Sequence, residues 1–246
     1  MRVLKVVLEG ITTSFRYPHF MQSVQPSYEM PPPATIYGHI CSVLGAWVDP
    51  ERLAFAYHFT HRGRADDLEH IHVLSASSGK LPGTAYPKVL EGNVNPFTRE
   101  LLFQPRLVLY LNRPDWEGAF HSPRYPVTLG RSQDLCWYTR IDVVDLISSD
   151  RVYLEHTLLP YRMATRTALG VVTLMPRWLD YWHNRRPTFA RYLVLQRRVG
   201  SAELLRFGNE ALSFWADPTA PLVNGQHLGL VWHTFTGDDD EALALA

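Results

Sequence analysis

The sequence predicts an α+β protein: a ferredoxin-like core over about residues 1–145 that carries an arm, then a β-rich C-terminal subdomain over 146–246. Three observations predict this. Strand-like patterns at 2–9, 53–61, 69–76, 101–111 and 135–144 surround one clear helical pattern at 34–46. Their order is strand, helix, strand, strand, arm, strand, short link, strand, which is a split βαβ plan with a degraded second helix. The 246 residues are 46% hydrophobic and 20% charged, so the chain can bury a sizeable core without staples.

Each element has its own signal. In 2–9, Leu4, Val6 and Leu8 share one face and Val3, Lys5 and Val7 the other. Gly10 to Pro33 is a long loop holding Pro18, Pro26 and the run Pro31-Pro32-Pro33. Loops of this length are usually functional or disordered, and Phe15, Tyr17, Phe20 and Tyr28 argue against disorder. In 34–46, Ile36, Ile40, Val43, Leu44 and Trp47 recur at helical spacing. Prolines are tolerated in that helix's first turn, and Gly45 suits its end.

Leu53, Phe55, Tyr57 and Phe59 then alternate with Ala54, Ala56, His58 and Thr60. The aromatic stripe reads as core against the helix rather than a base-stacking sheet, because no RNP1 pattern surrounds it. Residues 62–68 read as a turn and 69–76 as a strand. The stretch 77–99 is rich in Ser, Gly, Pro and Asn and reads as a protruding hairpin or arm with Lys80, Lys88 and Arg99. The strand at 101–111 is bulged or broken at Pro105. Asp115 to Tyr125 is a short helical or irregular link, and Leu129-Gly130-Arg131-Ser132 is a turn before 135–144. Beyond 146, short strands are expected at 151–158, 171–175, 189–199 and 227–235, with a short helix at 176–186.

Charge and composition narrow the function. The 24 basic and 24 acidic residues cancel, which excludes a polybasic binder and leaves room for a local basic groove. The basic set is 21 Arg against Lys5, Lys80 and Lys88. Arginine's planar fork suits phosphate and stacks on bases, although a GC-rich genome gives the same bias. Residues 177–206 concentrate seven Arg against Asp180 and Glu203, and Asp238 to Glu241 read as a solvated acidic end. Cys41 and Cys136 form no CxxC and suit a reducing compartment. Met1 to Ile11 is too short and charged for a signal peptide, and no apolar run is long enough to span a membrane. A cytoplasmic protein with no membrane partner is expected.

Common enzyme signatures are absent: no GxGxxG, phosphate-binding P-loop, GxSxG or HExxH occurs. His58 and His61 point to opposite strand faces, and His70 and His72 share a face without a third ligand, so no metal or cofactor is expected. Lys88, His121, Tyr125 and His61 could supply acid–base chemistry on RNA, but nothing in the sequence arranges them.

Four segments carry a resemblance. They are Ser14-Phe15-Arg16 with Pro31-Pro32-Pro33-Ala34-Thr35-Ile36-Tyr37-Gly38-His39-Ile40 and Leu44-Gly45; Asp67-Leu68-Glu69-His70-Ile71-His72; Arg99-Glu100-Leu101-Leu102-Phe103; and Tyr125-Pro126-Val127-Thr128-Leu129-Gly130-Arg131-Ser132. In order and spacing, over about residues 1–145, they resemble the CRISPR-associated protein five family of the RAMP superfamily. The resemblance implies an RNA-recognition-type (RRM-type) ferredoxin-like core with a thumb hairpin, in a subunit of a type I CRISPR effector complex (Cascade). It implies that the chain grips the five-prime handle of the guide RNA, touches the backbone and large subunits, and meets target DNA only through the complex. Most such proteins are non-catalytic; in type I-C complexes the member is a metal-independent endoribonuclease that processes precursor guide RNA.

On this reading the candidate RNA contacts are Arg16, Tyr28, Tyr37, Lys80, Lys88, Arg99, Gly130, Arg131 and Ser132, with no catalytic residue or metal ligand. The split βαβ plan places the Arg16 loop, after the first strand, beside the Gly130 turn, before the last. Arg16 and Arg131 are therefore expected together around a phosphate. The competing expectation pairs Arg131 with Asp134 or Glu9.

Overall fold

The computed structural model describes residues 1–20, 23–165, 170–204 and 213–237. The acidic stretch at 238–241 lies outside them.

Strand β1 (Arg2–Gly10) is followed by two short strands, β2 (Thr12–Thr13) and β3 (Val24–Gln25), and by helix α1 (Pro33–Leu44). Pro33 starts the helix, where a missing N–H costs nothing, and Gly45 ends it at φ 73°, a left-handed cap. Then come β4 (Ala54–Thr60), β5 (Gly63–Ala76), β6 (Leu90–Phe103) and β7 (Arg106–Leu111). A 3₁₀ turn and the short α2 (Glu117–His121) lead to β8 (Cys136–Asp145).

These elements build an antiparallel sheet in the order β4-β7-β1-β8, with Val6 facing both Leu109 and Ile141 across the ladders. The alternation read from the sequence becomes two buried faces. Leu4, Val6, Leu8, Phe55, Tyr57, Phe59, Leu107 and Leu109 pack with Ile36, Tyr37, Ile40 and Val43 of α1. Val3, Val7, Ala54, Ala56, Val108 and Tyr110 form the other face, covered by Leu146, Leu230 and Trp232. Strands β4, β7 and β1 therefore have no open face on which bases could stack.

That cover comes from the C-terminal hundred residues. Strands β9 (Ile147–Ser149), β10 (Val152–Leu154), β14 (Val199–Gly200), β15 (Phe214–Asp217) and β16 (His227–Leu230) form a second sheet. Between them, β11 (Thr157–Pro160), β12 (Val171–Asp180) and β13 (Arg186–Leu195) form a third, and α3 (Ser201–Leu204) is a single turn. Finally β17 (His233–Thr234) returns to the first sheet and pairs with β4 at Phe55.

A buried ion pair ties the first two sheets together. Lys5 of β1 donates to Asp217 of β15 and to the Thr219 hydroxyl (2.9 Å), and Tyr110 of β7 donates to Asp217 at 2.8 Å. Lys5 is 6% exposed and Asp217 0%. Burial raises the pKa of the Asp217 carboxyl, but hydrogen bonds from Lys5, Thr219 and Tyr110 and the Lys5 charge outweigh it and hold the carboxyl below its ordinary range.

Two segments differ from the sequence expectation. Residues 63–68 are strand rather than turn, because β5 and β6 pair along their whole length from Gly63↔Phe103 to Ala76↔Leu90, and the arm expected at 77–99 is the outer part of this longer hairpin. The hairpin thus spans 63–103, and only 77–89 is its tip. Its outer part is exposed on both faces, so no alternation marks it. Residues 176–180 extend β12 rather than forming a helix; the ladder to β13 shifts register between Pro176 and Trp178, the bulge position that a strand proline tolerates.

His58 sits at 7% exposure with Nδ1–H donating to the Glu155 carbonyl at 2.7 Å. Burial lowers its pKa to about 4, although the Glu155 carbonyl favours the proton. The unfolded chain takes up this proton below pH about 6.5 and the native state does not, so stability is lost as pH falls from there towards 4. Between pH 7 and pH 5 the loss from this residue should be about 2 kcal/mol. Urea midpoints at the two pH values, for wild type and His58→Gln, test it; an equal drop in the variant would assign the loss elsewhere.

No helix among the described residues is long and apolar enough to cross a membrane.

Candidate nucleic-acid interface

Four separate segments meet around one groove. The loop after β1 brings Arg16 and Pro18; α1 brings Thr35, Gly38, His39 and Ser42; the turn before β8 brings Thr128 and Gly130; and the β12–β13 hairpin brings Pro176, Leu179, Arg185, Pro187 and Phe189. The groove has a volume of about 460 Å³. A second hollow of about 290 Å³ shares Arg16, Thr35, Gly130 and Pro176 with it and extends to Ser14, Arg99 and Arg131. The groove lining holds two guanidinium groups and no carboxylate.

The walls are held by specific contacts. Gly130 stands at φ 94°, and a Cβ there would lie 2.6 Å from the Thr13 hydroxyl oxygen and 2.7 Å from the Ser14 carbonyl oxygen. Only glycine lets the turn lie this close to the chain leading to Arg16. The Thr13 hydroxyl donates to the Leu129 carbonyl and closes the same contact. His39 pins the turn to α1: Nδ1–H donates to the Thr128 carbonyl at 3.0 Å, and Nε2 accepts from the Tyr138 hydroxyl at 2.8 Å. Burial lowers the His39 pKa, against the pull of the Thr128 carbonyl, so the ring stays neutral in this role.

Gly38 is a different case. It lies mid-helix, where glycine costs about 1 kcal/mol relative to alanine, yet a Cβ there would meet nothing within 4 Å. Packing gives no reason for it; the open groove beside it does. Gly38→Ala should stabilise the fold by about 0.5–1 kcal/mol in urea denaturation, because helix propensity rises with no clash. Gly38→Leu should keep the fold and obstruct the groove, lowering affinity for whatever occupies it.

The predicted RNA contacts fall into distinct environments. Arg16 is exposed on the groove rim and makes no ion pair among the described residues. Arg131 lines the adjoining hollow, so the two arginines do come together. The Arg131 guanidinium, however, is already held by Asp134, at 2.9 Å from Nε and 2.7 Å from the terminal nitrogen, and by Glu69. Of the two expectations for Arg131, an ion pair within the protein is the one present, with Glu69 in the place of Glu9. Arg99 is 8% exposed, donates to the same Glu69 at 2.8 Å and lies over the Phe97 ring.

Tyr28 and Tyr37 are buried at 0% and 2% exposure. The Tyr28 hydroxyl donates to the Leu174 carbonyl and its ring stacks on Tyr17; the Tyr37 hydroxyl donates to Val48. Burial pushes both hydroxyls above the ordinary tyrosine range. Neither ring presents a face to a ligand. Lys80 and Lys88 sit at the hairpin tip, Lys88 paired with Glu91 at 3.2 Å, and neither lines the groove. Ser132 is exposed beside the Gly130 turn.

Sequence reasoning missed Gly38, His39, Arg185 and Phe189. An isolated glycine inside a helical pattern was the available sign for Gly38, and the arginine excess at 177–206 was the sign for Arg185. Reading 176–186 as a helix hid the latter. His61, Lys88, His121 and Tyr125 stand on separate segments and none lines the groove.

No family model and no curated protein sequence matches this chain. Among solved structures it is similar to a chain of a CRISPR RNA-guided surveillance complex, at a TM-score of 0.52 and 17% identity, covering 81% of this chain and 92% of that one. A looser likeness, at a TM-score of 0.44 and 12% identity, covers 82% of this chain and 86% of a chain from a type III-B Cmr-beta complex bound to cognate target RNA and AMPPnP. The fold is thus mixed α+β and rich in sheet, and it is similar to that of a chain of a CRISPR RNA-guided surveillance complex.

Proposed function

We propose that this chain is a non-catalytic RNA-binding subunit of a type I CRISPR effector complex, Cascade, of the CRISPR-associated protein five family. It caps the five-prime handle of the guide RNA in the cytoplasm, contacts the backbone and large subunits, and meets target DNA through the complex. The observation that carries the proposal is a groove with two guanidinium groups and no carboxylate, assembled by segments that resemble the family, which supply Arg16, together with the β12–β13 hairpin, which supplies Arg185. The handle is single-stranded, and such RNA is read through its backbone, splayed bases and shape. The strand order β4-β7-β1-β8 supports reading residues 1–145 as a ferredoxin-like core, and the 63–103 hairpin as its thumb. Residues 146–246 then form the β-rich subdomain that backs the core sheet.

Within the groove Arg16 takes a phosphate, being exposed and without an ion pair among the described residues, while Arg131 and Arg99 line the adjoining hollow and are held by Glu69. A charge-assisted bond of this type is worth about 1.5–3 kcal/mol. Arg16→Ala should therefore weaken binding of a repeat-derived handle RNA about ten- to a hundredfold with an unchanged urea midpoint. Neutralising about four phosphates gives a log–log salt slope of roughly −3, which the variant should reduce by about 0.7. Unchanged affinity, or binding indifferent to salt, would overturn the proposal. Precursor guide RNA incubated without metal should stay intact; cleavage within the repeat would favour an endoribonuclease.

A further inference from the structure

Beyond the groove, the turn of the β12–β13 hairpin carries an unusual surface. Trp182 is 58% exposed and Tyr181 46% exposed. Tyr181 stacks on Trp47 at 4.2 Å between ring centroids, and Trp182 meets Tyr181 edge-on at 6.2 Å. The rings are thus fixed by one another, with the Trp182 indole outermost. Two exposed guanidiniums follow immediately, Arg185 and Arg186, and neither forms an ion pair among the described residues. The carboxylate nearest in sequence, Asp180, is engaged within the turn: it accepts from the Trp182 and His183 backbone N–H groups and from His183 Nδ1.

The backbone adds a second sign. Asn184 and Arg185 stand at φ 55° and 56°, both left-handed, and Arg185 lines the groove. Asparagine tolerates that region; arginine is uncommon there, and such conformations persist where the surroundings demand them. Here the turn directs one arginine to the groove and leaves the aromatic rings outside it.

We infer that this turn is a base-stacking contact for single-stranded RNA, with Trp182 against the face of one unpaired base and Arg185 and Arg186 on the phosphates beside it. Aromatic rings interleaved with unpaired cations fit a polyanion that carries π-faces, whereas a protein partner of ordinary composition would leave two guanidiniums without counter-charge. The contact extends the RNA groove proposed above and rests on that reading; it adds a second point of attachment at the turn of the β12–β13 hairpin.

The test is a length series of unstructured RNA oligonucleotides, from about four to about twelve nucleotides, titrated against the full chain. For the longer oligonucleotides, Trp182→Ala should lower affinity about tenfold, within the range of a lost base stack. Trp182→Phe should restore most of it. Arg185→Ala with Arg186→Ala should reduce the salt slope by about 1.4. Urea midpoints should not move, because these side chains are exposed. If Arg16→Ala weakens binding while Trp182→Ala and Arg186→Ala do not, the stacking contact is refuted and the groove stands. If Trp182→Ala and Arg186→Ala weaken binding and Arg16→Ala does not, the stacking contact stands and the groove reading falls. Loss on Trp182→Ala that phenylalanine does not restore, or loss only of a co-purifying protein with RNA affinity intact, also refutes it.

Discussion

Lys5→Met is expected to destabilise the protein by about 3–5 kcal/mol, a large part of the stability of most domains. The substitution keeps the length of the side chain and removes its charge. It leaves Asp217, at 0% exposure, with only the Tyr110 and Thr219 hydroxyls and the Thr219 N–H as donors. A buried carboxylate stripped of its cation keeps the desolvation cost and loses the compensation. Equilibrium urea unfolding measures the loss directly. The double variant Lys5→Met with Asp217→Leu should regain most of it, because apolar replacement of both partners leaves no orphaned charge. A single variant within 1 kcal/mol of wild type would show that the pair contributes little. The same pair sets a pH signature: Asp217 is held below the ordinary carboxylate range, so its contribution is full above pH about 4 and is lost as pH falls through its lowered native value. Asp217→Asn should remove that acid dependence as well as the pair.

Gly130→Ala should destabilise the fold by about 2–4 kcal/mol and weaken RNA binding with it. A left-handed conformation costs a non-glycine residue about 1–2 kcal/mol. The new Cβ would also lie 2.7 Å from the Ser14 carbonyl oxygen, which is backbone and cannot rotate away. Relieving that contact moves the turn off the segment that presents Arg16, so the groove is reshaped where Gly130 and Arg16 line it. Overpacking of this kind costs about 1–3 kcal/mol. The unfolding midpoint and the handle affinity should fall together. A midpoint that falls while affinity holds would separate the turn from the binding site. Gly45→Ala is the control: it also has positive φ, at 73°, but caps α1 against Arg124 and lines neither part of the groove.

The sequence by itself determined the mixed α+β class and the elements whose burial is regular. The period-two pattern of β1 and β4 and the helical pattern of α1 were legible because water excludes one repeating set of side chains on each, and that repeat is written locally. Gly45 and Pro105 marked a helix end and a strand break because their constraints act on their own backbone. The hairpin at 63–103 was only partly visible: its outer strands face solvent on both sides, and polar residues, Gly92, Asn93, Asn95 and Pro96 hold strand geometry there only through the ladder to β5. The groove was beyond local reading altogether. Arg16, Gly38, Gly130 and Arg185 come from four segments, and only the docking of β12–β13 against α1 brings them together. Arg131 shows the same limit in one residue. Its neighbour Asp134 was foreseeable three positions away, while Glu69, 62 positions distant, becomes a partner only once the hairpin folds over the turn. Tyr28 and Tyr37 were aromatic candidates by type, and tertiary packing alone placed them in the core. Local pattern reports which side of an element is dry; which elements then meet is decided by the packing of those dry faces, and a site built between segments is settled at that second step.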